Sequence, residues 1–191
     1  MQIIGIAGKK RVGKDTVAGY ITNYLEKRYN KLVLKIGFAD PIREIGYIFG
    51  WNWTQMFDKK DNIHEHWGIS WRTFVQQVGT DLFRNTWRTD AWIKLMEIRL
   101  KDADSNFLDY LIISDVRFNN EAELIKNFNS NKASLPNVII KIDRDTGLVD
   151  NHESERGISK WDYNLYNIGS LEALKLQCEL FADTLIPPME K

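Results

Sequence analysis

The residues that most restrict this chain lie near its start. The apolar run Ile3-Ile4-Gly5-Ile6-Ala7 passes directly into Gly8-Lys9-Lys10-Arg11-Val12-Gly13-Lys14. A short continuous apolar run ending in glycine reads as a strand buried on both faces, the habit of parallel sheets covered by helices. From Gly13 the period changes: Val17, Ala18, Ile21, Tyr24 and Leu25 recur at helical spacing to about Tyr29. A glycine-containing turn between such a strand and helix turns backbone N–H groups and the positive end of the helix dipole toward one point. That is a cradle for an anion.

The spacing is G-x-x-x-x-G-K, the P-loop pattern, in the strand–turn–helix context that it requires. Gly8 and Gly13 permit close backbone approach, and Lys14 sets a point charge against the outer phosphates. Asp15 stands where Ser or Thr usually follows the lysine, and Thr16 comes one residue later. Any Mg²⁺ contact by Asp15 or Thr16 is therefore expected through water. An ordinary glycine-rich turn is the plain alternative.

Further strands are expected at Leu32–Ile36, Tyr110–Ile113, Val138–Ile142 and Tyr163–Tyr166, with helices after Pro41, Ser70, near Asn120 and after Ser170. Between Trp51 and Asp104 there is no strand candidate. There, Trp71, Phe74, Val75, Val78 and Leu82 are expected on one helical face, and Trp92, Leu95, Met96 and Leu100 on another. Strands alternating with helices predict an α/β fold of three layers around a mainly parallel five-stranded sheet. The 191 residues suit one domain, 1–191. The helical block at about 40–104 and a charged segment at about 144–160 read as insertions over the ligand-binding edge.

Composition narrows the partners. Lys and Arg number 26 and so do Asp and Glu, a net charge of zero, which argues against a nucleic-acid or anionic-membrane surface. The single Cys178 excludes an internal disulfide and a multi-cysteine zinc site and fits a reducing compartment. No apolar stretch is long enough to span a bilayer, and the start of the chain lacks a secretory pattern, so a cytoplasmic protein is expected.

The third strand ends Ser114-Asp115-Val116-Arg117. A carboxylate at the carboxyl end of a parallel strand can hold Mg²⁺-bound water or orient a cation. Arg117 offers a planar fork for phosphate, and Glu121 could orient it. A solvated strand end with a local ion pair is the alternative for these three.

Five segments then combine: Gly-Lys-Lys-Arg-Val-Gly-Lys-Asp-Thr (8–16), Phe-Ala-Asp-Pro-Ile-Arg (38–43), Val-Gly-Thr-Asp-Leu-Phe-Arg-Asn (78–85), Ser-Asp-Val-Arg (114–117) and His-Glu-Ser-Glu-Arg-Gly (152–157). In this order they resemble the bacteriophage deoxynucleoside monophosphate kinases, a branch of the P-loop nucleotide kinases. The resemblance covers most of the chain. It implies ATP with Mg²⁺ as donor, a deoxynucleoside 5′-monophosphate as acceptor, and a diphosphate product. It places Arg11, Lys14, Asp15, Arg117 and Glu121 at the reacting phosphates, with Gly8, Gly13, Thr16, Arg144 and Asn167 on the donor side. On the acceptor side it suggests Lys10, Phe38, Asp40, Arg72, Gln76, Asp81, Trp92 and Asp115. Asp15, Thr16 and Asp115 would face the metal through water, and segment 144–160, with Arg144 and Arg156, would act as a lid. A plain surface loop is the alternative to the lid, and a helix cap the alternative at Asn167–Ser170. Whether a homodimer forms stays open.

A phosphate acceptor has a chemical advantage. Its second pKa is about 6, so it is largely deprotonated at neutral pH and needs no general base. Catalysis then reduces to aligning two polyanions and neutralising charge. Rival readings are another small-molecule kinase, acting on dephospho-coenzyme A or phosphomevalonate, or a non-catalytic nucleotide-binding regulator. His64-Glu65-His66 has no companion cluster to complete a metal site and reads as a surface or substrate-edge element. Most of the seven tryptophans should pack helices.

Overall fold

In the computed structural model, which describes residues 1–130, 135–147 and 152–186, five strands form one sheet, every neighbouring pair of them parallel. They are β1 (Gln2–Ala7), β2 (Val33–Ile36), β3 (Tyr110–Val116), β4 (Val138–Asp143) and β5 (Tyr163–Tyr166), in the order β2-β3-β1-β4-β5. The helices are α1 (Lys14–Tyr29), α2 (Asp40–Ile48), α3 (Trp53–Phe57), α4 (Trp71–Gln76), α5 (Ala91–Ser105), α6 (Asn119–Asn127) and α7 (Leu171–Asp183). The three-layer α/β architecture expected from the sequence is the one found. The chain divides into two compact units, Met1–Gly37 with Met96–Lys191 and Phe38–Leu95.

The first unit is built on β1, all six residues of which are buried. On one face, Ile4, Ile6, Ile112, Ile140 and Ile142 meet Val17, Ala18, Ile21 and Leu25 of α1 and Leu174, Cys178 and Phe181 of α7. Each valine, isoleucine, leucine and phenylalanine among them contributes roughly 1.5–3 kcal/mol by leaving water. On the other face α6 lies so close to β1 that a Cβ at Gly5 would come within 2.9 Å of Ile125 Cδ1. A side chain there would make the terminal methyls of Ile125 and Ile139 give way. Ser170 caps α7, its hydroxyl accepting the Ala173 N–H at 3.2 Å.

The second unit is helical, and its one β-bridge among the described residues joins Ile63 and Ser70. Ser70 caps α4 by accepting the Thr73 N–H. Beyond Gln76 the chain does not continue as an α-helix. Residues Gln77–Trp87 form a π-helical stretch, whose wider turn advances the face that is buried. The face expected from α-periodicity is therefore corrected: Leu82 is 54% exposed, while Gly79, Thr80 and Arg84 are buried. Gly79 receives Ile42 of α2, which would stand 2.7 Å from a Cβ at that position. Trp51, Trp71 and Trp92 are buried, whereas Trp53, Trp67 and Trp87 are exposed. His64 is also buried, against the Trp51 ring at 4.6 Å, so of the two histidines only His66 lies on the surface.

In the first unit the sheet order puts β1 between β3 and β4, with all five carboxyl ends at one edge. Gly8, Gly37, Arg117, Arg144 and Asn167 each follow directly from a strand there. The pairing of β1 with β3 slips by one residue between Gly5↔Ile113 and Ala7↔Val116. This bulge inserts an extra residue at Ser114–Asp115 and alters the alternation of side chains just where a carboxylate reaches the edge.

Candidate active site

The turn from β1 to α1 bends through three left-handed residues, Gly8 (φ 151°), Arg11 (φ 61°) and Gly13 (φ 98°). A Cβ at Gly8 would sit 2.9 Å from both the Ile142 carbonyl oxygen and Val12 Cγ2, so this position requires glycine on two counts. Val12 is buried and pins the loop from below, where the Asn167 side-chain N–H₂ donates to its carbonyl at 2.8 Å. Gly13 occupies the N-cap position of α1 and supplies no side-chain cap. The first turn of the helix therefore offers its amide groups to a ligand rather than to a capping hydroxyl or carboxylate.

Lys14 folds back over this loop, donating from Nζ to the carbonyls of Gly8 and Lys9, each at 2.7 Å. Burial is the main force that pushes its ammonium down to about 7 from 10.5, and the charge of Arg117 adds to it. Glu155, Asp15 and Asp115 pull in the opposite direction. Four charged groups from three parts of the chain thus surround one lysine. An arriving polyphosphate would reverse the balance and restore the full positive charge.

Arg117 is held at both ends. Its backbone N–H donates to Glu121 Oε2 at 2.7 Å, and Phe118 donates to the same oxygen at 3.1 Å. Its Nη1 donates to Glu155 Oε1 at 2.7 Å, while the other oxygen, Oε2, accepts the Lys10 N–H at 2.7 Å. Glu121 and Glu155 are both buried. Asp115 lies against the backbone at the end of β2, its Oδ2 2.7 Å from where a Cβ of Gly37 would be. Ser114 Oγ reaches toward Asp15 Oδ1 at 3.4 Å. Asp15, Thr16, Arg11 and Arg144 are exposed at this edge.

The structure therefore brings together Gly8, Lys10, Arg11, Gly13, Lys14, Asp15, Thr16, Asp115, Arg117, Glu121, Arg144 and Asn167 in the first unit. Phe38, Asp40, Arg72, Gln76, Asp81 and Trp92 belong to the second. There, Arg72 pairs with Asp61 at 2.8 Å and Asp40 pairs with Arg43. Gln76 stands one turn after Arg72 on α4, and Asp81 is exposed on the π-helical stretch. Phe38 and Trp92 are buried, and the Trp92 indole N–H donates to the Gly79 carbonyl at 2.7 Å. Of the segment expected as a lid, residues 148–151 lie outside the described residues.

Two features escaped sequence reasoning. Glu155 stands out in the sequence only as part of 152–157, and its contacts with Lys10 and Arg117 span 145 and 38 residues. The support that Asn167 gives the loop likewise depends on a partner 155 residues away.

The oxygen donors near Lys14 suit Mg²⁺, which keeps several waters and takes one or two carboxylates beside substrate phosphates. Asp115 and Asp15 supply such carboxylates. Among the described residues no cluster of three His, Cys, Asp or Glu side chains forms an all-protein metal cage.

The parallel sheet with β1 at its centre, the nest of left-handed residues and the lysine folded over it define a P-loop α/β protein of the kinase type. Comparison with known proteins narrows this class. The model of the deoxynucleotide monophosphate kinase family matches residues 45–178. A protein of Acanthamoeba polyphaga mimivirus that carries the same family name is 30% identical over 90% of this chain and 91% of its own length. The deoxynucleotide monophosphate kinase of Escherichia phage RB69 is 31% identical over 62% of this chain, and the deoxynucleoside-5′-monophosphate kinase of Escherichia phage T5 30% over 69%. This chain spans about half the length of those phage relatives, 46% and 53%. The chain belongs to the deoxynucleotide monophosphate kinase family.

Proposed function

We propose that this chain transfers the γ-phosphoryl group of ATP to a deoxynucleoside 5′-monophosphate, giving the diphosphate used in DNA precursor synthesis. The observation that carries the reading is Lys14 over the nest of Gly8, Arg11 and Gly13, with Arg117 braced beside it. The phosphates of ATP would lie on the amides of that nest and on the first turn of α1. Asp115, Asp15 and Thr16, through water, would hold Mg²⁺, which when bound neutralises charge on the phosphate oxygens.

An oxygen of the acceptor phosphate attacks the γ-phosphorus, and the bond to the β–γ bridging oxygen breaks, releasing ADP. The attacking oxygen is already ionised near neutral pH, so no side chain must remove a proton. What the protein supplies is alignment and positive charge: Lys14 and Arg117 on the transferred group, Arg11 and Arg144 on the donor, and Glu121 as a brace for Arg117. Phe38, Asp40, Arg72, Gln76, Asp81 and Trp92 are assigned to the acceptor on the strength of their motifs, with Lys10 on the cradle side. The phage and mimivirus relatives point to a host cytoplasm as the setting, and no described helix is long and apolar enough to cross a membrane.

The test is ATP–Mg²⁺ offered with dAMP, dGMP, dCMP and dTMP in turn, with diphosphate and ADP followed by chromatography. At least one pair should give equal amounts of both. Transfer to dephospho-coenzyme A or phosphomevalonate, with none to the four deoxynucleotides, would reject the reading.

A further inference from the structure

We propose that Glu155 is a positioning residue of the phosphate site, one carboxylate that fixes the cradle and the arginine beside it in a common frame. The inference rests on the reading of this edge as the phosphate-transfer site.

The geometry is specific. Glu155 divides its two oxygens between two functional elements: Oε2 takes the Lys10 N–H inside the loop, and Oε1 takes Nη1 of Arg117. Its side chain is only 6% exposed, whereas that of Arg117 is 22% exposed. The carboxylate is thus the anchored partner and the guanidinium the one that faces outward. Glu121 fixes the root of Arg117 and Glu155 fixes its head, leaving the rest of the planar fork to meet a phosphate. Preorganisation of this kind removes the need to order a long side chain at the moment of reaction.

The experiment compares wild type with Glu155→Gln and Glu155→Asp, each shown to be folded by circular dichroism. Initial rates with the best deoxynucleotide acceptor give kcat and the two KM values, and calorimetry gives ATP affinity. Glu155→Gln should lower kcat about 10–100-fold, the range seen when partners of site residues are removed. ATP affinity should weaken with it, because the cradle loses its brace, while the KM for the acceptor stays near wild type. Glu155→Asp keeps the charge on a shorter arm and should recover part of kcat and of ATP affinity. Wild-type kcat and ATP affinity in Glu155→Gln would overturn the proposal, as would a loss of thermal stability with neither change. If Glu155→Gln does not fold, Glu155→Asp decides: kcat and ATP affinity both equal to wild type would overturn it. If wild type uses none of the four acceptors, the functional reading fails, yet ATP affinity still tests Glu155.

Discussion

The side-chain nitrogen of Asn167 lies 2.7 Å from the point where a Cβ on Gly13 would be placed. The same nitrogen donates to the Val12 carbonyl, so the loop from β1 and the turn after β5 lock against each other just before the helix begins. Gly13 also has φ 98°, where any side chain is strained. Gly13→Ala should therefore cost about 1–3 kcal/mol from the backbone and more from the collision. ATP affinity should drop at least tenfold. Adding Asn167→Ala removes the collision and leaves the strain, so the double variant should recover only part of the loss. Thermal unfolding and ATP calorimetry on wild type and the two variants check this; full recovery would mean that φ at Gly13 is unimportant.

This lock also shows what could be read from the chain and what could not. The contrast between the buried run Ile3–Ala7 and the helical period from Val17 is local, so β1, the loop and α1 were legible at once. The five strands followed from the same kind of contrast, and so did the caps at Ser70 and Ser170. The π-helical stretch was not legible, because a wider turn uses the same residue types as an α-helix. Leu82 fits the expected apolar stripe yet faces solvent, and Arg84, which no hydrophobic pattern would select, is buried. The role of Glu155 was hidden for a different reason. A carboxylate has no period, and its meaning comes from partners distant in sequence.

The lowered basicity of Lys14 ties ATP binding to pH. In the free protein its ammonium ionises at about 7, and bound phosphates would raise that value. Above pH 7 the free lysine is mostly neutral while the bound one is charged, so binding ATP must take up a proton. Affinity should then fall as pH rises between about 7.5 and 9, where the phosphates of ATP are already ionised, by up to about tenfold per pH unit. Calorimetry at pH 8 in two buffers of different ionisation enthalpy measures the uptake directly. Lys14→Met should abolish both the uptake and phosphoryl transfer. Proton release by wild type would contradict the assignment.

Trp92 tests the packing of the second unit. Its indole N–H satisfies the buried Gly79 carbonyl within the π-helical stretch. Trp92→Phe keeps an aromatic ring but leaves that carbonyl without this donor, at a cost of about 1–3 kcal/mol. Urea denaturation should show the loss with little change in slope. If Trp92 also contacts the acceptor base, the KM for deoxynucleotide will rise as well, while the KM for ATP stays near wild type.

Arg72 separates the two substrates more directly. It sits on α4 paired with Asp61, whose side chain is 48% exposed and can release it to a phosphate. If Arg72 binds the acceptor phosphate, Arg72→Ala removes a charge-assisted bond of about 1.5–3 kcal/mol. The expected rise in acceptor KM is about 10–150-fold, with the KM for ATP within twofold of wild type. Initial rates over a grid of both substrates give the two constants. An equal rise in both would place Arg72 in the structure of the unit rather than on the acceptor.

Gly37 offers a way to disturb the metal without touching a ligand. Gly37 is buried at the end of β2, and any side chain there would meet the Asp115 carboxylate, 2.7 Å away. Gly37→Ala should turn that carboxylate from its place while leaving Lys14 and the cradle intact. The site would then hold Mg²⁺ less well, since a cation that keeps most of its waters depends on the few protein oxygens it has. The concentration of Mg²⁺ giving half-maximal rate should rise several-fold, and the rate at saturating Mg²⁺ should return toward that of wild type. Steady-state rates across a Mg²⁺ titration at fixed, saturating ATP supply both numbers. An unmoved half-maximal concentration, with the variant folded, would remove Asp115 from the metal and leave Asp15 and Thr16 to hold it.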